Sequence, residues 1–533
     1  MKLILRTVFA ILLVAACIAA AWIEGIRAGA DKVLPGPMNR HRDAIAIAMT
    51  WTAYGDWHGY AAYKRIVQTL NDAGLSIHSD KVTHTGLRDY FEVMRAPKVL
   101  DAALARAASV ENVEAGGLYF LNDEKGMSLF YALAFKLFGH QVASFFHTYM
   151  GLLSLAAFAF FAAFWRRQEA LFVLVCVLLA EGAIIVVCQH LEPDVNAIHS
   201  GRFLAALSAI PALHLLLLMV YRERFSLAQF AAALVQTLLL IFVLNARGSA
   251  IWQLIPLVGL GAWRAFEWAR RRFVVVGPAR PIAGTGHGMW ILALVVMGLI
   301  ALRLHAAYAY HPRFYQPDGT VTHIFWHSLT TALHNNPKRT EKFGIDAGIP
   351  TWDDVVVHEL FKRVIARRGE PLSAYLRNDG EWRLRTSDPS FDFVWPKYES
   401  VVRDLFLDAV ASHPGYTLQS FLLYQTRDTV KTLARVIMDH VWRILSPIAA
   451  ALLALGVLLF SKAPALPRET WGWIGVTLAC SAMPTYASAV IPLRVTDLLL
   501  ISLVVVYLAI GEFARGVLAS RLGSVTHSRS SEA

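Results

Sequence analysis

The sequence predicts an all-α polytopic integral membrane protein with about ten transmembrane helices. Of its 533 residues, 56% are hydrophobic and only 17% are charged, whereas soluble domains have about a quarter charged residues. A helix needs roughly 20 mostly apolar residues to cross the hydrocarbon core of a bilayer. The runs that meet this criterion are 3–23, 141–164, 169–188, 203–220, 226–244, 249–265, 288–308, 443–461, 470–490 and 495–516.

The positions of Lys and Arg predict how these helices are oriented, because both residues prefer the cytoplasmic side of short connections. With a cytoplasmic N-terminus, every strongly basic short connection falls inside: Lys2/Arg6, 165–168, 221–225, 268–273, 461–469 and the C-terminal tail. We therefore expect a bacterial-type inner (plasma) membrane protein with cytoplasmic termini and large periplasmic or extracellular loops. The net charge of +11 reflects this bias, so the expected surroundings are a lipid bilayer and no nucleic acid is expected.

Composition divides the chain into four parts. A membrane module, 1–308, contains the outer loop 24–140, whose apolar spacing predicts helices on the membrane interface. A small extracytoplasmic domain of helices and loops follows at 309–440, then C-terminal transmembrane helices at 441–517 and a disordered cytoplasmic tail at 518–533. The first run also fits a signal peptide, although we expect an uncleaved anchor.

Two acidic residues of the first outer loop are candidates for catalysis. Asp56 lies in YGDWHGYAAY, where a carboxylate could act as a general base or bind a cation, and the nearby His58 is assigned to substrate binding. The alternative is a helix N-cap, for which Asp is a common choice. Asp123 lies in FLNDEKGMSLFYALAFKLFGH, directly before an apolar aromatic run, and a solvated turn is its alternative.

A second group of ionisable residues lies in the short loop QHLEPDVNAIHSGR between the third and fourth runs. His190, Glu192 and Asp194 are plausible nitrogen and oxygen ligands for Mg²⁺ or Mn²⁺. Arg202 ends the same loop, and we assign it to substrate binding. A solvated polar turn is the alternative.

The remaining candidates lie near other predicted membrane boundaries. Arg247, in NARGSAIWQ, is assigned to substrate binding because Arg is suited to binding phosphate, with interfacial snorkelling as the alternative. His323 and His327 would share a helix face and are assigned to substrate binding, with interfacial anchoring as the alternative. Asp497, beside the last run, could pair with Arg494.

The layout and two motifs resemble the GT-C superfamily of membrane glycosyltransferases. NDEKGMSLFYALAFKLFGH is similar to the segment that ends the first outer loop in lipid-A aminoarabinose and mannosyl transferases, with Lys136-Leu137-Phe138-Gly139 matching well. Glu192-Pro193-Asp194 resembles the acidic pair that helps to bind a divalent metal in oligosaccharyltransferase catalytic subunits. The turn at Glu124-Lys125-Gly126 departs from the family, which frequently has prolines there.

This resemblance implies a function and roles for the candidate residues. A GT-C enzyme moves a sugar from a polyprenyl-phosphate carrier to an acceptor on the outer face, and the acceptor here would be a glycan, a lipid or a protein. The family's catalytic acid lies upstream of the turn, which favours Asp56 over Asp123 as the base. A transporter or flippase is an alternative that broken helices or mid-membrane charges such as Glu181 would favour. A non-enzymatic envelope assembly protein is another.

Overall fold

The structure, a computed structural model, describes most of the predicted membrane helices and part of the polar segments. The described residues are 2–32, 45, 48–49, 51–53, 98, 101–102, 105, 125–191, 198–199, 203–221, 226–273, 295–301, 325–346, 348–349, 355–375, 393–488, 490 and 495–530. Within these ranges the chain is predominantly helical and contains no β-strand. The all-α class is therefore confirmed for this part of the chain.

Six helical segments in the described part are long and apolar enough to cross a membrane. They are Ile4–Arg27, Ala143–Phe164, Gln168–Leu191, Leu204–Tyr221, Leu227–Ala246 and Thr496–Leu518. A seventh span is obtained if Pro414–Ile444 and Pro447–Leu459, which meet at an angle of 78°, count as one broken helix. The chain is thus an integral membrane protein, whereas the count of ten spans stays a prediction.

The helices of the N-terminal half are numbered in chain order. They are α1 (Lys2–Arg27), α2 (Lys125–Phe138), α3 (Ala143–Phe164), α4 (Gln168–Leu191), α5 (Ala209–Tyr221), α6 (Leu227–Ala246) and α7 (Leu254–Phe273). Short 3₁₀ helices at Leu204–Ser208 and Gly248–Gln253 precede α5 and α7. Residues 295–301 are also helical.

The helices of the C-terminal half follow the second polar segment. They are α8 (Phe325–Leu333), α9 (Arg339–Phe343), α10 (Val355–Arg367), α11 (Trp395–Ser412), α12 (Pro414–Leu418), α13 (Thr426–Ile444), α14 (Pro447–Leu459), α15 (Arg468–Ser481), α16 (Met483–Tyr486) and α17 (Thr496–Ser530). A π-helix, Gln419–Gln425, joins α12 to α13.

The predicted spans that are not among the six have identifiable differences from a simple transmembrane helix. The run 249–265 becomes a 3₁₀ turn and α7, which carries the buried Arg264. The run 470–490 is divided between the 14-residue α15 and the short α16. Only 295–301 of the run 288–308 is described, and the run 443–461 contains the break before α14.

Helix α4 forms the centre of the membrane bundle. Most of its residues are buried, and it packs against α1, α3, α14 and α17. Small residues allow close approach to α1, since a Cβ on Gly182 would lie 3.4 Å from the Cβ of Ala21. Close backbone approach of this kind is a principal source of helix association in lipid, where the hydrophobic effect between helices is weak.

A second group of helices, α8 to α13, has its own apolar core. Phe361, Phe393 and Tyr398 pack together, with ring centroids 4.7–5.0 Å apart. Glu399 caps the start of α8 by accepting hydrogen bonds from the amides of Trp326 and His327, which satisfies two donors that have no partner within that helix. We call this group the helical domain; it overlaps the predicted domain 309–440, whose bounds stay a prediction.

The helical domain lies against one end of the membrane bundle. Its helix α13 packs on α4, with the ring of His440 centred 6.3 Å from that of His190. The C-terminal ends of α1 and α4 and the N-terminal end of α3 meet there, because a Cβ on Gly25 would contact Phe146 and Ile185. We call this end of the bundle the domain end.

Candidate functional site

The turn after α6 places Arg247 at the domain end. Helix α6 ends at Ala246, Arg247 has an extended backbone, and the 3₁₀ helix Gly248–Gln253 follows. Gly126, at the start of α2, packs directly on this turn: a Cβ there would lie 2.5 Å from the amide nitrogen of Ala246. Residues 245–253, here called the Arg247 turn, are therefore held by close contact with α2.

Asp497 lies next to the Arg247 turn, at the start of α17. Its Oδ2 accepts a hydrogen bond of 3.0 Å from the indole Nε1 of Trp252. Arg247 interacts electrostatically with the same carboxyl group. A cation, a carboxyl group and an aromatic donor are thus grouped where α6 ends, the 3₁₀ helix follows it and α17 begins.

Glu181 places a second carboxyl group deeper in the bundle. It is fully buried in α4, about 15 Å from the Leu191 end of that helix at 1.5 Å per residue. The hydroxyl of Tyr149 donates to its Oε2 at 3.2 Å, while Oε1 has no hydrogen-bond partner among the described residues. Glu181 interacts electrostatically with Asp497, which links it to the Arg247 turn.

His190 lies at the end of α4, on a different side of the domain end. Its Nδ1 is 2.8 Å from the carbonyl oxygen of Val186. If Nδ1 donates this hydrogen bond, Nε2 is the nitrogen with a free lone pair, an arrangement common in metal-binding histidines. Among the described residues no three His, Cys, Asp or Glu side chains are grouped as a metal site would require.

His327 is part of the core of the helical domain. Its Nδ1 forms a hydrogen bond of 2.7 Å with the hydroxyl of Tyr398, and its ring is centred 5.4 Å from that of His358. Only 2% of its surface is exposed. Its contacts therefore stabilise the packing of α8 on α10 and α11.

A buried set of polar side chains joins α8 to the π-helix. His334 bonds to the hydroxyl of Tyr416 at 3.2 Å, and Asn336 donates to Ser420 Oγ at 3.2 Å. Asn335 donates to Gln425 Oε1 at 3.1 Å and also reaches Asp428. We call this set the amide network; its members are His334, Asn335, Asn336, Tyr416, Ser420, Gln425 and Asp428.

The amide network connects the helical domain to the bundle through one side chain. Gln425 Nε2 donates to the carbonyl oxygens of Thr485 at 2.8 Å and of Ser488 at 2.5 Å. Residues 483–486 form α16, which packs against the 3₁₀ helix of the Arg247 turn. π-Helical turns often occur at functional sites, and this one lies a single layer away from Arg247.

The chain matches no model of a protein family, no curated protein and no solved structure.

The described candidates do not form one cluster. Arg247 contacts the Asp497 side of the domain end, His190 lies beside α13, and His327 is inside the helical domain. The other predicted site residues lie outside the described residues: Asp56, His58, Asp123, Glu192, Asp194, Arg202 and His323.

Sequence reasoning missed several groups that the structure brings together. From the sequence, Asp497 could pair with Arg494, which lies outside the described residues; the structure adds a hydrogen bond from Trp252 and an electrostatic interaction with Arg247. The amide network was not predicted at all. Its only sequence signal is the run His334-Asn335-Asn336, three polar residues directly after an amphipathic helix.

Proposed function

We propose that this protein is a membrane glycosyltransferase that moves a sugar from a polyprenyl-phosphate carrier to an acceptor at the domain end of the bundle. The observation that supports this proposal is the grouping of Arg247, Asp497 and Trp252 where the spans end and the helical domain begins. A carrier lipid has its chain in the bilayer and its phosphate at the interface, and Arg247 directly follows a candidate span, Leu227–Ala246.

The residues of the chain have distinct roles in the proposed reaction. Arg247 binds the carrier phosphate and stabilises the charge that develops on it as the sugar leaves. Asp497 orients the Trp252 indole and lies in the field of the Arg247 guanidinium. We assign the proton transfer from the acceptor hydroxyl to Asp56, with Asp123 as the reserve base.

The acceptor oxygen then attacks the anomeric carbon, and the bond from that carbon to the phosphate oxygen breaks. The proton of the acceptor is held by the carboxylate, and the electron pair leaves with the carrier phosphate. Mg²⁺ or Mn²⁺ bound by His190, Glu192 and Asp194 would supply further positive charge for this phosphate. The His190 ring orientation described above fits such a role.

Transfer by the purified full-length protein tests this proposal. The protein is reconstituted in vesicles with a radiolabelled polyprenyl-phosphate sugar and a membrane extract as acceptor source. We expect Asp56→Asn to abolish transfer, Asp194→Asn to reduce it, and Arg247→Gln to lower it about 100-fold or more, as is typical when one transition-state contact is removed.

Arg270→Gln is the matched control, because Arg270 is an exposed cation on the far part of α7. It should transfer at the wild-type rate. Full transfer by Asp56→Asn, Asp194→Asn and Arg247→Gln together would refute the site. Absence of any sugar transfer and of any carrier binding would refute the enzyme class.

A transporter is the second candidate, and two observations favour it. Glu181 is a buried carboxyl group at mid-helix depth, and α13 and α14 form a helix pair broken by 78°. Both features are typical of transporters. Uptake of a labelled lipid-linked sugar into vesicles, abolished by Glu181→Gln and unaffected by Asp56→Asn, would support this candidate over glycosyl transfer.

A further inference from the structure

The outward face of α13 combines apolar and basic side chains. Val430, Met438 and Trp442 are exposed by 59%, 73% and 86%. Lys431 and Arg435 are also exposed, and the helical spacing places them on the same face as the three apolar residues. A face with this composition is typical of a helix that lies in the headgroup region of a bilayer, where Lys and Arg bind anionic lipids.

The geometry of the chain supports an interfacial position for α13. Helix α14, which follows, is apolar and packs one side against α1, α4 and α17. The segment that contains α13, Pro414–Ile444, meets α14 at 78°, so α13 runs at a steep angle to a helix that packs on the bundle. Ser446 fixes the break, because its Oγ accepts a hydrogen bond from the amide of Ala449 at the start of α14.

A cavity of about 180 Å³ lies at this break, between α1, α4 and the start of α14. Its walls include the small residues Ala20, Gly182 and Ala449, so there is open space where larger side chains would otherwise pack. Trp442 and Arg443 line the part of the cavity formed by α13. The cavity is therefore mainly apolar, with a cation at one side.

Arg443 has capacity to bind an anion. Its Nη1 donates to Nδ1 of His440 at 2.8 Å, and no carboxylate in the described part of the chain forms an ion pair with it. Glu24 also lines the cavity, but its carboxylate is paired with Arg27 at 2.6 Å. An Arg with free donors beside an apolar cavity matches a phosphate attached to a hydrocarbon chain.

We propose that the cavity binds one anionic phospholipid of the surrounding bilayer, with a segment of acyl chain between α1, α4 and α14 and the phosphate on Arg443. The basic residues of the outward face, Lys431 and Arg435, contact further anionic headgroups beside it. This site is separate from the Arg247 turn, and it holds whether or not the chain transfers sugars. The bound lipid fills the break and stabilises the joint between the helical domain and the bundle.

Native mass spectrometry of the full-length protein tests the proposal, using detergent micelles doped with equal amounts of phosphatidylglycerol and phosphatidylcholine. We expect the wild type to retain phosphatidylglycerol about tenfold over phosphatidylcholine, the ratio that corresponds to about 1.4 kcal/mol for one charge-assisted contact. Arg443→Gln should remove this preference. Ala449→Phe, which fills the cavity, should remove retention of both lipids.

Two control variants distinguish loss of this site from a general effect of removing a charge or adding a bulky side chain. Arg367→Gln removes an exposed cation from α10, away from the cavity and from α13. Ala450→Phe adds a ring next to Ala449 outside the cavity; both variants should retain the preferred lipid. Ala20→Leu fills the cavity from α1 and replaces Ala449→Phe if that variant fails to fold. Equal retention of the two lipids by the wild type would overturn the proposal. Unchanged lipid retention in both Arg443→Gln and a folded cavity-filling variant would also overturn it. Displacement of the bound phospholipid by polyprenyl phosphate would overturn it as well.

Discussion

At the scale of single residues, buried polar side chains set the chemistry of the helical domain. Burial, together with the nearby charge of Arg339, lowers the pKa of His334 from 6.5 to about 3. Burial raises the pKa of Glu399, although the amides of Trp326 and His327 act in the opposite direction. Neither Nε2 of His334 nor Nη1 of Arg339 has a hydrogen-bond partner among the described residues. A proton on His334 is therefore poorly tolerated in the folded state.

This shift predicts that the helical domain loses stability in acid. The folded pKa of His334, about 3, lies below the ordinary value of 6.5, so the unfolded chain binds the proton first as the pH falls. The contribution of neutral His334 to the free energy of unfolding is complete above about pH 6.5 and is lost towards pH 3. The free energy of unfolding changes by up to about 1.4 kcal/mol per pH unit for one proton.

Thermal unfolding of the full-length protein between pH 7 and pH 4 measures this dependence. His334→Asn should have a shallower slope than the wild type, because no proton is taken up at that position. His413→Asn, from the less buried end of α11, should keep the wild-type slope. Equal slopes for wild type and His334→Asn would contradict the role assigned to His334.

At the scale of elements, contacts to backbone atoms decide where α2 and the π-helix lie. Helix α2 has an apolar sequence, yet its position depends on Gly126, which alone lets its first turn reach the backbone of Ala246. The π-helix is positioned by Gln425, whose amide bonds to two carbonyl oxygens of the segment after α15. In both cases one residue connects elements that are distant in the sequence.

We predict that Gly126→Ala destabilises the protein by about 1–3 kcal/mol, the usual range for overpacking. The added methyl group would lie 2.5 Å from a backbone nitrogen, which cannot move as a flexible side chain can. Gly151→Ala in α3 is the matched control, because a Cβ there has nothing within 4 Å. The unfolding temperature of this control should be unchanged or slightly raised. A similar loss of stability in both variants would contradict the packing described.

We predict that Gln425→Leu loosens the helical domain from the bundle. Two buried hydrogen bonds, to the carbonyl oxygens of Thr485 and Ser488, would be lost, and each such bond contributes about 0.5–1.5 kcal/mol. Limited proteolysis should then cut the domain junction several times faster. Gln419→Leu, at the exposed start of the same π-helix, should be cut at the wild-type rate; equal cutting of the two would argue against a linking role.

At the scale of the whole molecule, the chain combines a membrane bundle with a helical domain at one of its ends. Helix α4 organises the bundle, and the domain contacts it through α13 and through the amide network. The far end of the bundle has its own connection, since the buried Arg264 of α7 pairs with Glu267 and with Glu469 of α15. Its charge is compensated there, as a buried cation requires.

The predicted orientation places the helical domain outside the cytoplasm. Cysteine labelling of intact cells tests it, because Cys17, Cys176, Cys188 and Cys480 are all buried and give little background. Arg403→Cys, exposed in the domain, should react with a membrane-impermeant maleimide from outside. Lys462→Cys, exposed between α14 and α15, should react only after the membrane is permeabilised. The reverse pattern would invert the topology.

The presence of a transmembrane helix could be predicted best where an apolar run is long and carries no charge. The apolar runs that form α1, α3, α4 and α6 were predicted from composition, because an apolar segment of that length has few alternatives to a transmembrane helix. The count was less predictable, because runs such as 249–265 and 470–490 are bent or shortened where Arg264, Pro484 and the 3₁₀ turn occur. Local breaks of this kind depend on packing partners.

Hydropathy alone identifies this chain as a helical membrane protein with polar segments between its apolar helices, some of them rich in ionisable residues. Hydropathy suffices for this, because the bilayer imposes the same requirement on every segment that crosses it. The folded chain was needed to show that Asp497 interacts with both Arg247 and Trp252, and that His334 and Gln425 belong to one network. Such contacts join residues far apart in the chain, and their formation depends on shape and hydrogen-bond geometry that no local pattern records.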